Sequence, residues 1–199
     1  YIQNSRGKYE MQIINTLKQS MLDVRKLSWD MSLFMSQEFD LLTIDNSYLT
    51  GSSIMPNKHN PDVIEILRAN YSILAGQASE LENLLSLPSG YQRDLQLTKR
   101  SLISSFDISL QSLSILPNLI SSIKVNKSKS IDYIDEEMKM TDKVYALVSK
   151  GIPFRDAYNK IKNSDDLTKF TQSNSKDHSE GSPGNLALGK LATRLKNQK

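Results

Sequence analysis

From Lys8 to Phe39, apolar side chains recur at spacings of three and four. Ile14, Leu17, Met21, Val24, Met31 and Met35 fall on one stripe, and Ser28 fills its gap. This is the period of an α-helix with one packed face. No Pro or Gly interrupts it, so the spacing predicts one long helix, of the kind found in bundles. A second helix is predicted over 61–87, carrying Val63, Ile66, Leu67, Ile73, Leu74, Leu81, Leu84 and Leu85. Pro88-Ser89-Gly90 breaks it. A third is predicted from Lys99 towards Ile123, with Leu102, Phe106, Ile108, Leu110, Leu113 and Ile115 on it. Pro117 is expected to bend or interrupt its last turns. Three long helices with short breaks predict antiparallel neighbours.

The pattern changes at the polar, basic run 124–130, which divides the chain into 1–123 and 124–199. Beyond it the predicted helices are shorter: 130–138, 141–150 and 153–163, with Gly151 as a C-cap and Pro153 as a first helical residue. Residues 171–185 are polar and turn-rich and read as a loop. A last helix is predicted over 186–195. The fold class is therefore all-α, a long-helix bundle followed by a small helical domain, with no internal repeat.

Composition removes several functions. The net charge is +3, and the lysines are scattered rather than gathered into a stripe, which argues against a nucleic-acid partner. Without cysteine there is neither a disulfide framework nor thiolate chemistry, which fits a cytoplasmic protein. His59 and His178 stand far apart with no ligand cluster, so no metal is expected. No apolar run reaches the roughly 18 residues of a membrane span, and no signal-peptide pattern is visible. The methionine stripe and Trp29 read as packing. The chain begins at Tyr1 and enters helical pattern almost at once, so it is expected to start inside a longer protein.

The chemistry concentrates in Gly51-Ser52-Ser53-Ile54-Met55-Pro56-Asn57-Lys58-His59-Asn60-Pro61. Gly51 tolerates backbone angles closed to other residues and suits a sharp turn. Two hydroxyls follow, and two prolines stiffen the stretch. Lys58 and Asn60 supply a compact cation and an amide, both able to hold an anion. Asn60-Pro61-Asp62 reads as a helix start, with Asn60 as the cap.

This loop resembles the fumarase/aspartase superfamily signature G-S-S-x-M-P-x-K-x-N-P, with all eight fixed positions present. Other segments narrow the likeness to argininosuccinate lyases. Ser36-Gln37-Glu38-Phe39 resembles that family's S-Q-E-F. Tyr91-Gln92-Arg93-Asp94-Leu95-Gln96 with Lys99 resembles Y-N-R-D-L-Q-x-x-K. Thr141-Asp142 through Tyr158 resembles T-D-x-A-x-x-L-V-x-K-G-x-P-F-R-x-A-H, and Ser182-Pro183-Gly184 echoes S-P-G-G. Lys143 and Val144 replace a small or apolar pair, Tyr158 stands where His is common, and Thr98 where an acid often precedes the lysine.

The resemblance implies a fumarase/aspartase-type bundle and the reversible β-elimination of argininosuccinate to arginine and fumarate, with no cofactor. It implies Ser52 as the base, Lys58 and Asn60 as holders of the developing dianion, and Ser53 as a hydrogen-bond donor to substrate. Met55 would pack in the closing loop, and Tyr91, Gln96 and Lys99 would contact substrate. Family members are homotetramers whose sites draw residues from three subunits, and their general-acid histidine lies upstream of this segment. The 199 residues alone are therefore expected to be inactive, and their bundle face to promote association. The alternatives are another lyase such as adenylosuccinate lyase, a non-catalytic crystallin-like relative, and a plain helical interaction module that leaves the loop unexplained.

Overall fold

A computed structural model of the chain describes residues 1–86, 90, 92–170, 179–182 and 185–198. It forms two compact units, Tyr1–Ile131 and Asp132–Lys199. In the first, three long helices follow the apolar periods: α1 (Lys8–Phe34), α2 (Asp62–Leu85) and α3 (Thr98–Ser121). Cross-helix bonds set an antiparallel register. Arg25 Nη1 donates to Ser72 and Arg68 Nη1 to Ser32 between α1 and α2. Between α2 and α3, Glu80 pairs with Ser101, Gln77 with Ser104 and Ser105, and Asn70 with Ser112. Met21, Val24, Met31, Ile64, Leu67, Leu74 and Leu119 form the main core. Each such side chain contributes about 1.5–3 kcal/mol by leaving water.

The first helix and the compact units have bounds other than those the sequence pattern suggests. The first helix ends at Phe34, not Phe39, because the chain turns back at once: the Leu41 N–H donates to the Phe34 carbonyl at 2.8 Å. α3 runs through Pro117 to Ser121 without interruption. The composition shift at 124 is not where the compact units divide. β4 (Lys124–Val125) pairs antiparallel with β1 (Leu42–Thr43), which ties that stretch to the bundle. The short helix α4 (Lys127–Asp132) follows.

α3 is also turned in an unexpected direction. Its buried face is a run of hydroxyls, Thr98, Ser101, Ser105, Ser109 and Ser112, while Ile103, Phe106, Leu110 and Leu113 are exposed. Ser101, Ser105 and Ser112 find acceptors or donors on α2, as a buried polar group requires, whereas the buried Ser109 hydroxyl has no hydrogen-bond partner.

In the second unit, α5 (Met140–Val148) and α6 (Phe154–Lys162) pack through Val144, Ala157 and Ile161. Gly151 turns the chain between them at φ 89°, with its N–H on the Val148 carbonyl and that of Ile152 on the Leu147 carbonyl, a left-handed helix end that favours glycine. Lys143 is 1% exposed; its ammonium donates to the Glu136 carboxylate and, at 2.6 Å, to the Leu167 carbonyl. α7 (Leu188–Asn197) lies near the chain end.

Candidate active site

The signature loop is the tip of a hairpin. β2 (Thr50–Gly51) pairs antiparallel with β3 (His59–Asn60), Thr50 opposite Asn60 and Gly51 opposite His59. Gly51 is not among the glycines with positive φ, so in this conformation it serves as an ordinary strand residue. Asn60 does not cap α2 either. Its backbone is engaged in β3, the N-cap is Pro61, and no side chain caps the helix. The Asp62 carboxylate instead accepts from the Thr50 hydroxyl at 2.6 Å, closing the hairpin onto the helix start.

Inside the loop, Met55-Pro56-Asn57-Lys58 forms a turn with the Lys58 N–H on the Met55 carbonyl at 3.1 Å. Proline sits at the second position, where its fixed φ fits such a turn. Ser52 Oγ accepts from the backbone N–H groups of Ile54 at 3.3 Å and Met55 at 3.1 Å. Two donors on one hydroxyl oxygen favour negative charge there. Ser52 and Asn60 are half-buried, whereas Ser53, Met55 and Lys58 are exposed.

Lys58, His59, Asn60 and Pro61 form one wall of a cleft of about 530 Å³. Met35, Ser36 and Gln37, just past the end of α1, line it as well. Arg68, Glu65 and Ser32 also line it. The start of α2 faces this space, and a helix N-terminus carries partial positive charge. Lys58 and Arg68 bring two cations to the cleft lining and Asp40 and Glu65 two carboxylates, so an anion would be met at the Lys58 and Arg68 side chains. Ser52, Ser53 and Met55 are not among its lining residues.

Sequence reasoning passed over Arg68 and Glu65. Pro61, Glu65 and Arg68 are spaced i, i+4, i+7, so one helical face carries all three beside the loop, a signal that was available. Gln96 lies in the short 3₁₀ segment Arg93–Leu97 and Lys99 at the start of α3, both exposed. Both belong to the far end of α2 in the antiparallel register, away from the loop. Tyr91 lies outside the described residues, as do His178, Pro183 and Gly184. Among the described residues no cluster of three or more His, Asp or Glu side chains suits a metal, and no helix is long and apolar enough to cross a membrane.

A family model described as "Lyase" matches residues 5–76. The chain is 46% identical over 158 residues to the argininosuccinate lyase of Xanthomonas euvesicatoria pv. vesicatoria (strain 85-10), covering 79% of this chain and 37% of that protein. It is 46% identical over 156 residues to the argininosuccinate lyase of Xylella fastidiosa (strain Temecula1), covering 78% and 35%. The chain thus spans little more than a third of the length of these curated relatives. Among solved structures, a fumarate lyase from Mesorhizobium sp. BNC1 aligns with a TM-score of 0.64 at 13% identity, over 80% of this chain and 35% of that one. A class II fumarase from Schistosoma mansoni aligns with a TM-score of 0.61 at 19% identity, over 77% and 36%. At such identities these two structures speak for the fold alone.

Proposed function

We infer, for a chain that belongs to the argininosuccinate lyase family of the fumarase/aspartase superfamily, that the protein containing it cleaves argininosuccinate to arginine and fumarate. The observation that supports this most is the intact signature loop, hung on a hairpin beside a cleft lined by Lys58, Asn60 and Arg68, in a chain 46% identical to argininosuccinate lyases.

The reaction removes a proton from the carbon next to a carboxylate. Its electrons become the new C=C bond as the C–N bond to the arginine nitrogen breaks, and that nitrogen leaves with a proton from a general acid. The charge that develops spreads into the carboxylate, so fixed donors and cations must already face it. Ser52 is the proposed base. A serine hydroxyl is a weak one, and the two N–H groups on Ser52 Oγ are what would stabilise its alkoxide. Lys58 and Asn60 hold the carboxylate, Ser53 donates to substrate, and Met55 packs as the loop closes.

Tyr91, Gln96 and Lys99 are proposed to contact substrate from a different subunit. α2 has 24 residues and is about 36 Å long, so the loop and the 92–99 segment of one chain stand too far apart to share a site. The exposed stripe Ile103, Phe106, Leu110 and Leu113 offers other subunits an apolar face. Both observations favour sites shared between subunits; the proposed assembly is a homotetramer, and the proposed setting is arginine biosynthesis in the cytoplasm.

The test follows fumarate by ultraviolet absorbance after mixing the full-length gene product with argininosuccinate. Wild type should produce fumarate. A Ser52→Ala variant and the isolated 199-residue chain should not. A folded full-length protein that makes none would point to another succinyl substrate or to a fold that has lost its chemistry.

A further inference from the structure

Arg68 is the least explained charge at the cleft. It rises from the second turn of α2 and reaches across to α1, where Nη1 donates to Ser32 Oγ at 3.0 Å and the guanidinium lies 4.7 Å from the Trp29 ring centroid. Ser32 in turn donates to the Ser28 carbonyl at 2.7 Å, so the anchor is itself anchored. Arg25 makes the mirror arrangement from α1 to α2: its Nη1 donates to Ser72 at 3.4 Å and its guanidinium sits 5.0 Å from the Tyr71 ring centroid. The two arginines clasp the helices in the same way. Only Arg68 lines the cleft.

A guanidinium has five N–H donors in a rigid plane. One of Arg68's is on Ser32, and none of the ion pairs among the described residues includes Arg68. Stacking on Trp29 fixes the plane without neutralising it. The cleft thus holds a cation whose position is set before any ligand arrives, whereas Lys58 rides on an exposed loop. Resting on the function proposed above, we propose that Arg68 is a substrate-binding residue: the preset cation that receives a substrate carboxylate in the cleft, ahead of loop closure.

The experiment compares Arg68→Met, Arg68→Lys and Arg25→Met in the full-length protein, reading KM, kcat and inhibition by added fumarate. A lost charge-assisted hydrogen bond corresponds to about ten- to a hundredfold in affinity. Arg68→Met should raise both KM and the fumarate inhibition constant by at least about tenfold. Arg68→Lys, which keeps the charge and loses the fork, should recover part of that. Arg25→Met, which breaks the equivalent clasp outside the cleft, should leave both within about twofold. Equal losses in Arg25→Met and Arg68→Met would reduce Arg68 to a helix clasp and overturn the proposal, as would an unchanged fumarate constant in Arg68→Met. If wild type has no turnover, the function proposed above fails separately. Calorimetric titration of fumarate into wild type and Arg68→Met then still decides the point, equal or absent binding overturning it.

Discussion

The hydroxyl-lined seam between α2 and α3 makes a sharp energetic prediction at Gln77 and Ser105. Ser105 is fully buried, and its hydroxyl donates to Gln77 Oε1 at 2.5 Å, while Gln77 Nε2 donates to Ser104 at 2.6 Å. Gln77→Met keeps the length of the side chain and removes both partners. The stranded Ser105 hydroxyl should cost about 1–3 kcal/mol. Ser105→Ala alone should cost less, since half-buried Gln77 can turn its amide to water. In the double variant no Ser105 hydroxyl is left to strand, so its loss should fall short of the sum of the two single losses by about 1 kcal/mol. Urea unfolding followed by circular dichroism, at one protein concentration for all four proteins, measures this cycle. A coupling below about 0.3 kcal/mol would mean that Ser105 back-bonds within its own helix when Gln77 is gone, and the seam would then owe nothing to this pair.

Gly7 precedes α1 at φ 81°, and a Cβ added there would meet Leu85 Cδ2 at 2.1 Å. Gly7→Ala should therefore destabilise by about 1–3 kcal/mol, read as a lowered thermal midpoint; an unchanged midpoint would show that Leu85 yields without penalty. Hydrogen bonds from Lys139, then Lys143, hold the Glu136 carboxyl below the usual carboxylate range. A depressed carboxylate contributes stability that is present above its unfolded pKa, about 4.3, and lost as pH falls through the lower folded value. Glu136→Gln should flatten the fall in urea midpoint below about pH 4.5, and parallel wild-type and mutant curves would contradict the assignment.

What could be read in advance was whatever depends on local period and local chemistry. The stripe from Ile14 to Met31 needed only the helical repeat, and the loop from Gly51 to Pro61 announced itself by residue type. The rest depended on partners distant in sequence. Asn60 reads locally as a cap, but pairing with Thr50, ten residues back, recruits its backbone into a strand. The leucines of α3 read as an inward face. Yet its serines face α2, because Gln77, Glu80 and Asn70 supply their partners there. Arg68 was passed over because a single arginine on a helix reads as solvated charge until Trp29 and Ser32 are brought alongside it. Lys143 stands in the place of a small or apolar residue and is nonetheless buried, since Glu136 and the Leu167 carbonyl receive its ammonium.

The hairpin that carries the signature loop has strands of two residues each. So light a base has a consequence in time. Active-site loops close and open on μs–ms timescales, which overlap the roughly 1–10³ turnovers per second typical of enzymes. Under the function proposed above, the motion of so lightly held a hairpin falls in the same range as the chemistry it would enclose. A substitution that stiffens the open hairpin would then lower turnover with every side chain of the loop still in place.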